Sequence, residues 1–238
     1  MTNRAEVSPQ RIARVAAVCY VGTILLAPLA LFVRGNLVSA DAAATAASIM
    51  SHQSLFFLSF AADLLATACY VAVVGLFYIL LRPVNFTVAL VAGCFGLVGC
   101  AIGGFSGIFQ IAPWILAGGA PYLSAFTPEQ LHAMALVFLK LRGQAVNISI
   151  VFFGFYCLLT GFLIFKSIFL PKVLGVLMGV AGVGWLTFIT PPLAIALSPF
   201  NQIAGGLGEI SLTLWLLILA VDVGRWKEQA GRAGLSGA

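Results

Sequence analysis

The sequence predicts an all-α fold: a polytopic membrane protein with six transmembrane helices in one bundle and short amphipathic outer helices. Three observations carry this prediction. Six long apolar blocks run through a chain in which 8% of residues are charged and 62% are hydrophobic, giving a mean hydropathy of +1.11. Blocks of this size match the roughly 20 helical residues needed to cross an apolar core about 30 Å thick. The blocks also lack the period-2 alternation of a membrane β-barrel, and in lipid only helices and closed barrels satisfy every backbone group.

The blocks cover residues 15–33, 56–81, 86–116, 147–165, 173–189 and 203–223 of a single transmembrane domain, 1–238, in which 224–238 forms a basic cytoplasmic tail. Ser8-Pro9 supplies an N-cap and first-turn proline for the first helix. Arg4, Arg11 and Arg14 precede it, and Val38-Ser39-Ala40 loosely resembles a signal-cleavage site. The apolar stretch exceeds a signal core of about 7–15 residues and Arg34 intervenes, so the block reads as an uncleaved anchor.

Between the first two blocks, the alanine-rich segment 41–50 reads as a short outer surface helix capped by Asp41 or Ser39. The turn Arg82-Pro83-Val84-Asn85 permits only a helical hairpin. After the third block, Gly118, Gly119 and Pro121 loosen the chain until Phe126-Thr127-Pro128-Glu129-Gln130-Leu131. There Thr127 fits the N-cap, Pro128 the first turn, Gln130 the capping-box partner, and Phe126 with Leu131 a hydrophobic staple. A helix from Pro128 to Phe165 reaches roughly 57 Å, far more than a bilayer needs, so its first turns to about Arg142 must project outward or bend onto the membrane surface.

Gly96, Gly99, Gly103 and Gly107 give the third helix a smooth stripe, and Gly175 with Gly179 repeats the pattern. Such stripes allow close helix contact. Packing within the bundle is the ordinary use; the alternative is a homo-oligomer or membrane-protein partner docked through Gly96, Gly99, Gly103 and Gly107.

Basic residues set the expected orientation, because short basic loops stay cytoplasmic. With the N-terminus inside, Arg4, Arg11, Arg14, Arg82, Lys166, Lys172, Arg225, Lys227 and Arg232 are cytoplasmic, against Arg34, Lys140 and Arg142 outside. Both termini are therefore expected in the cytoplasm. The net charge of +5 reflects this sidedness and anionic headgroups at the basic tail, and no nucleic-acid partner. Cys19, Cys69, Cys94, Cys100 and Cys157 all fall within predicted helices without a C-x-x-C pair, and read as small apolar residues.

Ionisable residues inside spans are costly and mark functional sites by default. Asp63 lies roughly 12 Å and Glu209 roughly 9 Å from the outer ends of their helices. Arg34 lies at the outer end of the first helix and Arg142 at the outer end of the fourth, with Gln110, Gln144 and Asn147 as neutral partners. Arg34, Asp63, Arg142 and Glu209 are thus expected to form one outward-facing polar cluster. Pro28, Pro113 and Pro191-Pro192 map to the same half and loosen it. The bland counterpart is a buried ion-pair network that fixes helix register. His52 and His132 lack a second histidine at helical spacing, so no metal or cofactor is expected. Ser106 and Ser211 lack a histidine partner, so no catalytic residue is assigned. Trp114, Trp185, Trp215 and Trp226 need no ligand, and Trp114 and Trp226 suit interfacial belts.

The order of several motifs resembles a family of uncharacterised bacterial integral membrane proteins, domain of unknown function 4386. The resemblance rests on Asp41 to Ile49, Ala61-Ala-Asp-Leu-Leu65, Leu80-Leu-Arg-Pro-Val-Asn85, Phe152-Phe-Gly154, Phe169-Leu-Pro-Lys-Val-Leu-Gly175 and Gly208-Glu-Ile-Ser-Leu212. It implies a multi-pass protein of the bacterial cytoplasmic (inner) membrane without an established activity. Asp63 and Glu209 lie within the matching stretches. The resemblance also implies an acidic residue and a histidine in many relatives where this chain has Lys140 and Arg142; a cation at 142 favours pairing with Asp63 or Glu209 instead.

Three function classes remain open from sequence. The first is a membrane protein whose outward-facing polar pocket binds or passes a small solute, ion or lipid. The second is a non-catalytic interaction or structural subunit of a membrane complex. The third is a membrane-embedded enzyme, for which the paired carboxylates are the sole hint.

Overall fold

The computed structural model describes residues 8–234; Arg4 and residues 235–238 of the expected tail lie outside the described residues. Among these, the chain forms α1 (Pro9–Leu37), α2 (Ala42–Ser51), α3 (Gln53–Leu81), α4 (Phe86–Ala117), α5 (Pro128–Lys166), α6 (Lys172–Leu186), α7 (Pro191–Ala196), α8 (Phe200–Ile218) and α9 (Val223–Arg232). Short three-ten turns occupy Pro121–Ala125 and Thr187–Ile189. No strand occurs among the described residues. Helices α1, α3, α4, α5 and the segment Lys172–Ile189 are long and apolar enough to cross a membrane. Helices α8 and α9 supply a sixth crossing if that pair, bent by 107°, counts as one span.

Local chemistry sets these boundaries. The Ser8 carbonyl accepts from the Arg11 and Ile12 amides at the start of α1. Asp41 caps α2 by accepting from the Ala44 amide at 2.6 Å, and Asn85 caps α4 by accepting from the Val88 amide at 3.0 Å. At α5 the expected reciprocal box is formed: Thr127 N–H donates to Gln130 Oε1 at 2.9 Å, and Gln130 N–H donates to Thr127 Oγ1 at 3.4 Å. These bonds satisfy amides that the first helical turn cannot pair internally.

The expected sixth block, 203–223, is corrected at its end. Helix α8 stops at Ile218 because Ala220 adopts the left-handed region, φ 57°, which right-handed helix cannot continue through. Asp222 then caps α9, accepting from the Arg225 amide at 3.0 Å. The stretch expected as a basic tail is therefore helical to Arg232. It is held in place as well, since Trp226 Nε1 donates to the Leu80 carbonyl at 2.9 Å and Gln229 Oε1 accepts from the Ile168 amide at 3.0 Å.

The chain divides into two compact units: 1–21 with 69–99 and 150–238, and 22–68 with 100–149. We call them the first and second unit. In the first unit, α5 and α6 touch backbone to backbone. A β-carbon on Gly161 would lie 2.7 Å from the Gly175 carbonyl oxygen, and one on Gly175 would lie 2.7 Å from that of Gly161. Helix α8 approaches α6 as closely, a β-carbon on Gly208 meeting the Leu177 carbonyl oxygen at 2.5 Å. Such contacts let dispersion replace the hydrophobic drive that lipid does not supply.

In the second unit, Leu37, Ile49 and Phe56 form one buried cluster with Val33 and Leu139 beside them. Leu116, Leu123 and Ala135 form another, joined by Leu131, Met134 and Phe138. Both clusters draw on the first turns of α5, so the length of α5 beyond a bilayer's need serves to build this unit.

The glycine stripe of α4 lies against neighbours from the chain itself, the ordinary use of such a stripe. Gly96 faces Val74 and Tyr156, and Gly99 faces Phe153, in the first unit; in the second, Gly103 faces Ser149 and Gly107 faces Phe60. The absent side chains make room for these neighbours.

Candidate functional site

The second unit gathers Arg34, Asp63 and Arg142, three of the four residues that sequence reasoning singles out. Arg34 closes α1, and its Nη1 donates to Asp63 Oδ2 on α3 at 2.7 Å. Arg142, on α5, donates from Nη2 to the same oxygen. Gln110 on α4 ties the arginines together, its Oε1 accepting from Arg142 Nε at 2.8 Å and from Arg34 Nη1 at 3.3 Å. Behind it, Gln110 Nε2 donates to Ser59 Oγ at 2.9 Å, and Ser59 Oγ donates to the Phe56 carbonyl at 2.7 Å. Gln110 and Ser59 are fully buried, and the side chains of Arg34 and Arg142 keep only 11% and 8% of their exposure.

Arginines from α1 and α5 thus meet on one carboxylate of α3, which carries one negative charge against two positive ones. Two guanidiniums hold more N–H donors than one carboxylate and one amide oxygen can accept. The crevice at Asp63 and Arg142, bordered by Phe60, Thr67, Gly103 and Gly107, measures about 10 Å³, room for about one water. A larger cleft of about 500 Å³ lies in the same unit, walled by α2, the end of α4, the Pro121–Ala125 turn and the start of α5. Its lining is mostly apolar, with Met50, Leu116, Leu123 and Phe126 prominent and His132 as a polar member. Pro113 in its wall is three residues from Gln110, and Ala135 is seven from Arg142, about 4.5 Å and about 10 Å of helical rise.

Glu209, the fourth residue of the expected set, has its bonding partners elsewhere. It belongs to the first unit. Trp185 Nε1, from α6, donates to Glu209 Oε1 at 2.7 Å. Cys157 Sγ, from α5, lies 3.7 Å from the same oxygen, and Tyr20 from α1 also bonds the carboxyl. Tyr20 in turn meets Tyr70 of α3, hydroxyl to hydroxyl at 3.4 Å. Gly205 makes the Trp185 contact possible. It lies one turn before Glu209 on α8, and a β-carbon there would stand 2.2 Å from the indole ring. Depth along a helix, which sequence supplies, says nothing of which neighbours a face meets; that is why Glu209 and Asp63 seemed one cluster.

Sequence reasoning missed Ser59 as the support of Gln110, although it precedes Asp63 by four residues and so shares its helix face. It also read Trp185 and Cys157 as inert, when both contact Glu209. Gln144 is exposed and Asn147 partly buried; Gln110 alone of the three named amides is seen bonding the arginines. Among the described residues, no group of three or more His, Cys, Asp or Glu side chains converges as metal ligands would. The donors around Asp63 are guanidinium N–H groups, which suit an anion.

A helical chain of five to six apolar spans, with charged side chains paired inside them, is a multi-pass α-helical membrane protein. It belongs to the family described as a domain of unknown function (DUF4386), which matches residues 15–220. An uncharacterised protein of Archaeoglobus fulgidus is 26% identical over 146 residues, covering 59% of this chain and 70% of that protein. No solved structure matches.

Proposed function

We propose that this multi-pass protein of the bacterial cytoplasmic membrane, with both termini cytoplasmic, binds a small amphiphilic anion on its outward side. The apolar part of the ligand occupies the 500 Å³ cleft of the second unit, and its charge reaches Arg34 and Arg142. The observation that carries the reading is the sharing of one carboxylate, Asp63, by two nearly buried arginines. An excess cation in a span is costly unless an anion compensates it. The distribution of basic residues, nine against three, supports the orientation. Reporter fusions at residues 45 and 123 are active only outside the cell on this reading.

Purified protein in nanodiscs tests the ligand chemistry. Decanoate stabilises it against heat at concentrations at least about tenfold lower than decanol does, since a charge-assisted hydrogen bond contributes about 1.5–3 kcal/mol. Arg142→Gln removes that preference. Equal effects of the acid and the alcohol on the unaltered protein would reject an anion site. A second reading, an ion-pair lock within a structural or interaction subunit, is favoured by the small crevice at Asp63, about 10 Å³; it predicts no response to either compound.

A further inference from the structure

We propose that the connection between α6 and α8, residues 187–200, is an interaction surface whose partner is lipid: the acyl chains of the leaflet opposite Lys166 and Lys172. Residues 173–208 contain no Asp, Glu, Lys, Arg or His. The connections at 38–52 and 118–132, expected on the same side from the sequence, carry titratable residues instead: Asp41 and His52 in one, Glu129 and His132 in the other. Large apolar side chains fill the α6–α8 connection. Ile189, Leu193, Ile195, Leu197 and Phe200 are all exposed, Ile195 by 75% and Phe200 by 73%. In water such a contiguous apolar surface is unfavourable, and acyl chains remove that cost.

Helix length points to the same depth. Helix α6 and the three-ten turn after it, Lys172–Ile189, comprise 18 residues, which rise about 28 Å. Lys172 keeps its ammonium at one headgroup layer, so Ile189 reaches only the far edge of an apolar core about 30 Å thick. Any tilt of α6 brings it deeper. Backbone at that depth has to find its partners within the protein, and this turn is built to do so. Buried Asn201 donates from Nδ2 to the Ala194 carbonyl at 3.1 Å and to Thr187 Oγ1 at 3.0 Å. The Ala194, Leu197, Ser198 and Asn201 amides donate to carbonyls of the turn itself, and Pro191, Pro192 and Pro199 have no amide hydrogen to satisfy. Gly184 lets the ends of α6 and α8 close on each other, since a β-carbon there would stand 2.8 Å from the Asn201 carbonyl oxygen.

The photo-crosslinker p-benzoylphenylalanine, which inserts into nearby C–H bonds, tests the assignment when it replaces Ile195 or Phe200 in the full chain in native membranes. Both side chains are exposed, so the replacement leaves the packing of the turn intact. Illumination is expected to raise the mass of the chain by one phospholipid at either position. Ester hydrolysis is then expected to leave the mass of a single fatty acid, which marks the acyl chain as the attachment point. The same crosslinker at Glu129, exposed at the start of α5, is expected to give no lipid adduct. A dimer of the chain would assign the surface to a second copy and overturn the proposal. Attachment to another protein, attachment through a headgroup, equal lipid yield at Glu129, or no adduct at Ile195 and Phe200 would also overturn it. Failure of the decanoate experiment leaves this test untouched, because the turn and the arginines belong to different units.

Discussion

Two carboxylates on apolar helices are held in contrasting ways. Asp63, in the second unit, is bound by two arginines and is outnumbered in charge. Glu209, in the first, is bound by an indole, a phenol and a thiol. The first arrangement rests on the Asp63 carboxylate, because the other acceptor the two guanidiniums share is the neutral Gln110 oxygen. The second requires no charge at all. A membrane helix can therefore hold an acid by pairing it with cations or by bonding it to neutral groups, and this chain does both.

The largest way to break the comparison is to strip the paired site of a cation. Arg142→Leu removes two bonds from the cluster, to Asp63 and Gln110, and should lower unfolding stability in detergent by about 3 kcal/mol. A loss below about 1 kcal/mol would mean that Arg34 alone satisfies Asp63.

A smaller effect sharpens the account of Glu209. Gly205→Val places a side chain where the Trp185 ring now lies, an overpacking that should cost about 1–3 kcal/mol. It should also change the emission of Trp185, recognised as the component missing from Trp185→Phe. Unchanged emission would show that the indole does not depend on Gly205.

Two milder substitutions act at the edges of the units. Thr127→Ala removes half of the reciprocal box at the start of α5 and should cost about 1 kcal/mol in chemical denaturation. Trp226→Phe removes the bond to the Leu80 carbonyl, worth about 0.5–1.5 kcal/mol. Its clearest readout is faster proteolysis at α9, because this helix is otherwise held by few bonds to the rest of its unit.

What was legible in the sequence follows the range of the interactions. The caps at Asp41 and Thr127 rest on residues three positions apart, so a local pattern suffices to find them. Arg34, Asp63 and Arg142 stood out because charges in apolar blocks are rare, and only a few partners lay at a matching depth. Depth alone could not separate Glu209 from them, since the helix face each residue presents is fixed by close approaches such as Gly161 on Gly175 and Gly205 on Trp185. Those contacts join residues that are distant in the chain, and glycine spacing does not name its partner. Helix α9 had a local signal that went unused: Val223, Trp226 and Ala230 recur at helical spacing behind the cap at Asp222.

The most direct measurement replaces each carboxylate by its amide and compares unfolding free energies in one detergent. Asp63→Asn leaves Arg142, 7% exposed, without its countercharge and should cost about 3–5 kcal/mol. Glu209→Gln keeps a carbonyl oxygen for Trp185 Nε1 and should cost less than about 1 kcal/mol. Equal losses at the two positions, or a larger one at Glu209, would contradict the distinction between an acid paired with cations and one bonded to neutral groups.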